Sequence, residues 1–122
     1  MPEFIPSFLP DNLPLDAAGY LECAEFTSAE DYGDDCKGWH DSAIAKARLA
    51  CQVFGATADP DDIDAYLASG LDYRDLGRDI WFSRNGHGAG FFDRDADGLQ
   101  AVAEQMGEVY VYQGDDGFLY IV

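Results

Sequence analysis

The run Arg84-Asn85-Gly86-His87-Gly88-Ala89-Gly90 sets a guanidinium and an imidazole among closely spaced glycines. A loop of this kind can turn backbone N–H groups toward an anion. It is not a P-loop, because no Gly-Lys-Ser/Thr follows, and the alternate glycines do not make a dinucleotide fingerprint. Cys36 and His40 lie four residues apart, and Cys23 and Cys51 could complete a tetrahedral thiolate–imidazole site. No paired CxxC or HxxxH spacing supports that site, and small free cysteines in a core are the commoner case. Asp93, Asp95, Asp97, Gly98 and Glu104 fit the calcium-loop pattern D-x-D-x-D-G-x5-E residue for residue. The context is less favourable. The preceding segment reads as a strand rather than a helix, Gln100 stands where the loop carries an aliphatic residue, and Leu99 and Val102 suit a buried helical stripe. Helix capping by Asp95 or Asp97 is the ordinary alternative use. No serine–histidine or carboxylate pair can be brought together from the sequence, so no catalytic residue is assigned and no cofactor is expected, with calcium at 93–104 the alternative.

These candidates sit in an extremely acidic chain. Its 122 residues hold 24 carboxylates against 7 lysines and arginines, a formal net charge of −17. Such a charge opposes compaction through self-repulsion. Disorder is nevertheless excluded as a reading, because 48% of the residues are hydrophobic and 14% aromatic, enough for a core. The size suits one domain, residues 1–122, with 1–14 as an extended proline-rich leader. Three cysteines cannot all pair within one chain, which favours a reducing cytoplasm. The leader has no basic region and its apolar residues are broken by prolines, so neither a signal peptide nor an anchor is expected. An anionic surface is repelled by nucleic acid and by anionic lipid alike.

The elements that would position these residues follow from caps and periodicity. Asp16 reads as an N-cap, with Leu15 and Tyr20 as a hydrophobic staple. A helix then runs from Ala17 to about Phe26, with Glu22 and Glu25 facing outward. Residues 27–39 read as a polar loop carrying Glu30, Asp31, Asp34 and Asp35. Asp41 or Ser42 caps a second helix to about Phe54, whose Ile44, Ala47, Cys51 and Phe54 form a buried stripe. Asp59-Pro60 opens a third helix, with Asp61, Asp62 and Asp64 near its positive end and Gly70 as its stop. Asp79–Arg84, Asn85-Gly86 and His87–Phe92 read as a two-residue hairpin. There Ile80, Phe82, Ala89 and Phe91 share the core face, and Trp81 lies over Gly88 and Gly90. A last helix follows from Asp95 or Asp97 to Met106. Glu108–Gln113 and Phe118–Val122 form a second hairpin, with Val109, Val111, Leu119 and Ile121 inward and Tyr110, Tyr112 and Tyr120 outward. The expected fold is α+β: three N-terminal helices, then a β-hairpin, a helix and a β-hairpin forming a small antiparallel sheet.

The stretch Asp79-Ile-Trp-Phe-Ser-Arg-Asn-Gly-His-Gly-Ala-Gly-Phe-Phe-Asp-Arg94 resembles a segment of small acidic proteins of bacteriophages and mobile elements. Those read like D-F-W-L-T-R-N-G-H-G-A-G-F-W-D-R. The ending Gly107-Glu108, Gln113-Gly-Asp-Asp-Gly117 and Tyr120 is similar to theirs, as is Tyr20-Leu-Glu-Cys-Ala-Glu25 more loosely. The resemblance brings no catalytic residues. It implies an accessory protein acting in the cytoplasm of a bacterial host. Combined with the charge, it leads to the expectation of a non-enzymatic inhibitor that mimics nucleic acid. Glu22, Glu25, Glu30, Asp31, Asp34, Asp35, Asp59, Asp61, Asp62 and Asp64 would face the basic cleft of a host defence protein, such as a CRISPR effector or restriction enzyme. Arg84 and His87 are expected to be structural. The alternatives are a calcium-binding module built on Asp93, Asp95, Asp97 and Glu104, and an acidic soluble domain without mimicry.

Overall fold

The computed structural model describes residues 9, 12–30, 32–33, 35–86, 90–94 and 96–122. In chain order these form α1 (Leu15–Thr27), β1 (Gly38–Trp39), α2 (Asp41–Thr57), α3 (Pro60–Ala68), α4 (Tyr73–Arg84), a 3₁₀ turn (Gly90–Arg94), α5 (Asp97–Gln105), β2 (Val111–Gln113) and β3 (Phe118–Ile121). The class is α+β, but the expected order and the purely antiparallel sheet are both wrong. β3 is the central strand, antiparallel to β2 and parallel to β1. β1 lies in what reads as a polar loop. It is held by Lys37 N–H donating to the Gly117 carbonyl at 2.8 Å and His40 N–H donating to that of Leu119 at 2.9 Å.

The segment expected as the first strand of a hairpin is the second half of α4. Read from Asp79 onward, Ile80 and Phe82 alternate like a strand. Read from Asp72, the buried residues Leu76, Gly77, Ile80 and Trp81 recur with helical spacing. The start is fixed by a reciprocal capping box. Asp75 N–H donates to Asp72 Oδ1 at 2.9 Å and Asp72 N–H to Asp75 Oδ2 at 3.0 Å. Asn85-Gly86 serves the helix end instead of a type I′ turn, which needs positive φ at both residues. Asn85 has φ −99° and Gly86 +69°, the arrangement of a glycine just past a helix C-cap. Asn85 also donates from Nδ2 to the Trp81 carbonyl at 3.0 Å and accepts Val109 N–H at 2.9 Å. His87, Gly88 and Ala89 lie outside the described residues.

α1 is the central helix. Every residue from Ala17 to Glu25 is buried, the condition of a helix packed on all sides. It crosses α4 at backbone contact, made possible by two reciprocal glycines. A Cβ on Gly19 would meet the Arg74 carbonyl oxygen at 2.0 Å, and one on Gly77 would meet that of Asp16 at 1.8 Å. The expected Leu15–Tyr20 staple is absent: the helix begins at Leu15, which is 52% exposed, while Tyr20 is buried. The core also contains aromatic contacts among its aliphatic side chains. Tyr20 meets Trp81 edge-on at 5.2 Å, Phe54 stacks on Phe91 at 5.4 Å, and Tyr66 meets Phe91 edge-on at 5.6 Å. α2 is capped by neither Asp41 nor Ser42 but by His40, whose Nδ1 accepts Ser42 N–H at 3.1 Å. α3 has its expected cap, Asp59 Oδ1 accepting Asp61 N–H at 2.9 Å, and Pro60 at its first position. Among the described residues no helix is long and apolar enough to cross a membrane.

Burial of titratable groups gives the fold an alkaline limit. Desolvation pushes Tyr20 up to about 12, with Arg84 acting in the opposite direction. Desolvation first, then the hydrogen bond to Asp79, push Tyr66 above its ordinary 10.0. Burial likewise raises Cys23 and Cys51 above 9.0. Each group loses its proton at lower pH in the unfolded chain, so above those ordinary values the folded state binds more protons and stability falls as pH rises. The urea midpoint should hold at about pH 8, begin to fall near pH 9 and fall more steeply above pH 10. Tyr66→Phe should reduce the steeper part. A midpoint unchanged to about pH 11 would contradict this.

Candidate functional site

The structure divides the expected acidic surface into three groups. Glu22 and Glu25 are not on it. Glu22 is buried between two arginines, at 3.1 Å from Arg74 Nη2 and accepting Arg78 Nε–H at 2.7 Å. Glu25 is buried and accepts Trp39 Nε1–H at 3.0 Å. Both were expected to point outward on an amphipathic α1, and neither does, because α1 has no solvent face there. Asp31 and Asp34 lie outside the described residues. Glu30, Asp35, Asp59, Asp61, Asp62 and Asp64 are exposed.

Five of the seven lysines and arginines are engaged away from these acids. Arg74 and Arg78 are engaged with Glu22. Arg94 donates from Nε to Asp79 Oδ2 at 3.0 Å, and Tyr66 donates its hydroxyl to the same oxygen at 2.5 Å. Arg84 donates to the carbonyls of Gly107 at 2.7 Å and Met106 at 2.9 Å, and to the Tyr20 hydroxyl at 3.0 Å. It therefore closes the C-terminal end of α5, where a cation is favoured. Lys46 donates to the Ile121 carbonyl at 2.7 Å. Among the described residues, no ion pair involves a carboxylate of α3 or its cap.

The densest exposed set is at the start of α3. Asp59, Asp61, Asp62 and Asp64 fall within six consecutive residues, a rise of about 7.5 Å at 1.5 Å per residue. Asp62 lies over Gly98, where a Cβ would meet its Oδ2 at 2.4 Å. Asp62 and Asp97 thus line one cleft of about 240 Å³, with Tyr66, Ser69, Arg94 and Gly98 also on its walls.

Of the calcium pattern, Asp97 and Glu104 do not converge in this conformation. Asp97 opens α5 and Glu104 lies near its end, seven residues and about 10 Å further along the axis. Leu99 points into the core, and Asp95 lies outside the described residues. The Cys23, Cys36, His40 and Cys51 set is also dispersed, with Cys23 and Cys51 in the core and His40 Nδ1 occupied as a cap. Among the described residues no group of three or more histidine, cysteine or acidic side chains could hold a metal ion.

Two features had no local signal. The Asp79–Tyr66–Arg94 cluster joins α4, α3 and the 3₁₀ turn, and nothing in the sequence near Asp79 marks it as buried. The sheet's outer face carries Tyr110, Tyr112 and Tyr120 as the alternation implies, but His40 joins them through the parallel β1–β3 pairing. No protein-family model matches the chain, and no curated protein or solved structure is detectably similar to it.

Proposed function

We propose that this chain is a non-enzymatic inhibitor that occupies the nucleic-acid-binding cleft of a bacterial protein by presenting carboxylates in place of phosphates. The observation that carries the reading is the charge density of α3. Four carboxylates lie along about 7.5 Å, where B-DNA, at one charge per about 1.7 Å, places about four. They are exposed, and no cation of the described residues pairs with them. A cleft lined with lysine and arginine would supply the missing cations. Of the other expected acids, Glu30 and Asp35 are exposed and stay within the reading, whereas Glu22 and Glu25 are buried and do not. A DNA-handling defence protein, a CRISPR effector or a restriction enzyme, is the kind of target such a surface fits.

The test separates charge from fold. Asp61→Asn, Asp62→Asn and Asp64→Asn, combined, remove three charges and spare the Asp59 cap. Each exposed acid near the helix start contributes about 0.3–1 kcal/mol, so the variant should still fold cooperatively. Its capture of nucleic-acid-binding proteins from bacterial lysate should fall at least about tenfold, and capture by the wild-type chain should fall similarly between about 50 and 200 mM salt. Salt should meanwhile raise the melting temperature of the isolated chain, because it screens self-repulsion. Equal capture by both chains at every salt concentration would refute the proposal.

A further inference from the structure

The outer face of the sheet carries a continuous stack of rings. His40 stacks on Tyr120 at 4.6 Å, Tyr120 stacks on Tyr112 at 5.3 Å, and Phe118 meets His40 edge-on at 6.1 Å. The β2–β3 register puts Tyr112 directly opposite Tyr120, and Tyr110 follows two residues along on the same face, 65% exposed. One end of the stack already holds a cation: Lys37 Nζ lies 5.9 Å from the centroid of Phe118. At the other end Tyr112 is 43% exposed. Among the described residues it stacks on Tyr120 alone, and no cation covers its outer face.

Carboxylates are held at the margins of this face. Tyr120 donates its hydroxyl to Asp116 Oδ2, and Asp116 Oδ1 accepts Phe118 N–H at 3.0 Å. Tyr110 donates to Glu108 Oε2 at 3.1 Å. A carboxylate accepting one or two such bonds keeps lone pairs for a further donor. Ring faces bordered by positioned carboxylates suit a planar cation with several N–H donors, which is the guanidinium rather than the ammonium.

We propose that the Tyr112 end of this strip is a docking site for an arginine side chain on a basic segment of the partner protein. The site rests on the reading above for the partner's character, but it uses a different surface from α3. The guanidinium stacks on the outer face of Tyr112 and directs its N–H groups toward the marginal carboxylates. Nucleic acid bases would also stack on rings, but their phosphates meet a chain of net charge −17, so the protein ligand is favoured.

The probe is a nine-residue peptide alternating arginine with glycine, beside its lysine and citrulline counterparts, titrated into the full chain near 150 mM salt and followed by tyrosine fluorescence and calorimetry. The arginine peptide should bind at least about threefold more tightly than the lysine peptide, and the citrulline peptide should not bind. Tyr112→Leu should weaken the arginine peptide about threefold or more, and Tyr112→Phe should not. Tyr112→Thr, which suits an edge strand, provides a second ring-free variant. The triple α3 variant should lose less than Tyr112→Leu. Equal binding of arginine and lysine peptides, or unchanged binding by both ring-free variants, would overturn the proposal. So would a pyrimidine oligonucleotide that displaces the peptide. Peptide binding that survives while α3 neutralisation leaves lysate capture untouched would remove the mimicry reading and leave this site standing.

Discussion

Replacing Gly77 with alanine should lower the melting temperature by roughly 10 °C or more, corresponding to about 3 kcal/mol. The added Cβ would sit 1.8 Å from the Asp16 carbonyl oxygen and 2.9 Å from Tyr20 N. Neither is a flexible side-chain end, so α1 and α4 must separate. That separation would disturb the Glu22 pairs with Arg74 and Arg78 and the Tyr20–Trp81 contact together. Gly55→Ala is the internal control. It lies in α2 with nothing within 4 Å of its Cβ position, so alanine there should stabilise by about 0.5–1 kcal/mol. Circular dichroism melts of both variants decide the matter, and equal melting temperatures would contradict the close helix crossing.

Asp79→Ala should cost about 2–4 kcal/mol. Removing one partner of a buried pair costs about 3–5 kcal/mol, discounted here because the Arg94 side chain is 40% exposed and can return to water. The buried carboxylate joins Tyr66 of α3 to Arg94 of the 3₁₀ turn. Loss of Asp79 should therefore loosen both against α4. In a double-mutant cycle with Tyr66→Phe, the two changes should be less than additive, since each breaks the same hydrogen bond. Additive denaturant midpoints would show that the hydrogen bond contributes nothing beyond packing.

The sequence exposes some of this and conceals the rest for identifiable reasons. α3 is legible because its signals are local: Asp59 caps, Pro60 starts and Gly70, at φ +100°, ends it. The inward and outward faces of the terminal strands are legible because alternation is also local. α4 is misread as a strand because Asn85-Gly86 suits a hairpin turn and a helix end equally well, and only the upstream capping box at Asp72 distinguishes them. Glu22 is misplaced because its partners Arg74 and Arg78 are more than fifty residues away, as Arg78 shows at a separation of 56. A helix rich in alanine and glycine, with acids at the spacing of a solvent face, gives no local sign that those acids are buried. The parallel pairing of β1 with β3 is equally non-local, and it alone brings His40 onto the tyrosine stack.

If α3 stands in for a phosphate array, duplex DNA must compete with it for the same protein surface. Bacterial proteins retained on the immobilised chain should be released by duplex DNA at concentrations that also saturate their own DNA binding. The free wild-type chain should displace them from DNA in turn, and the Asp61, Asp62 and Asp64 to asparagine variant should do so at least about tenfold less well. Retained proteins that duplex DNA does not release, or displacement from DNA by the neutralised variant as effective as by the wild type, would contradict the account.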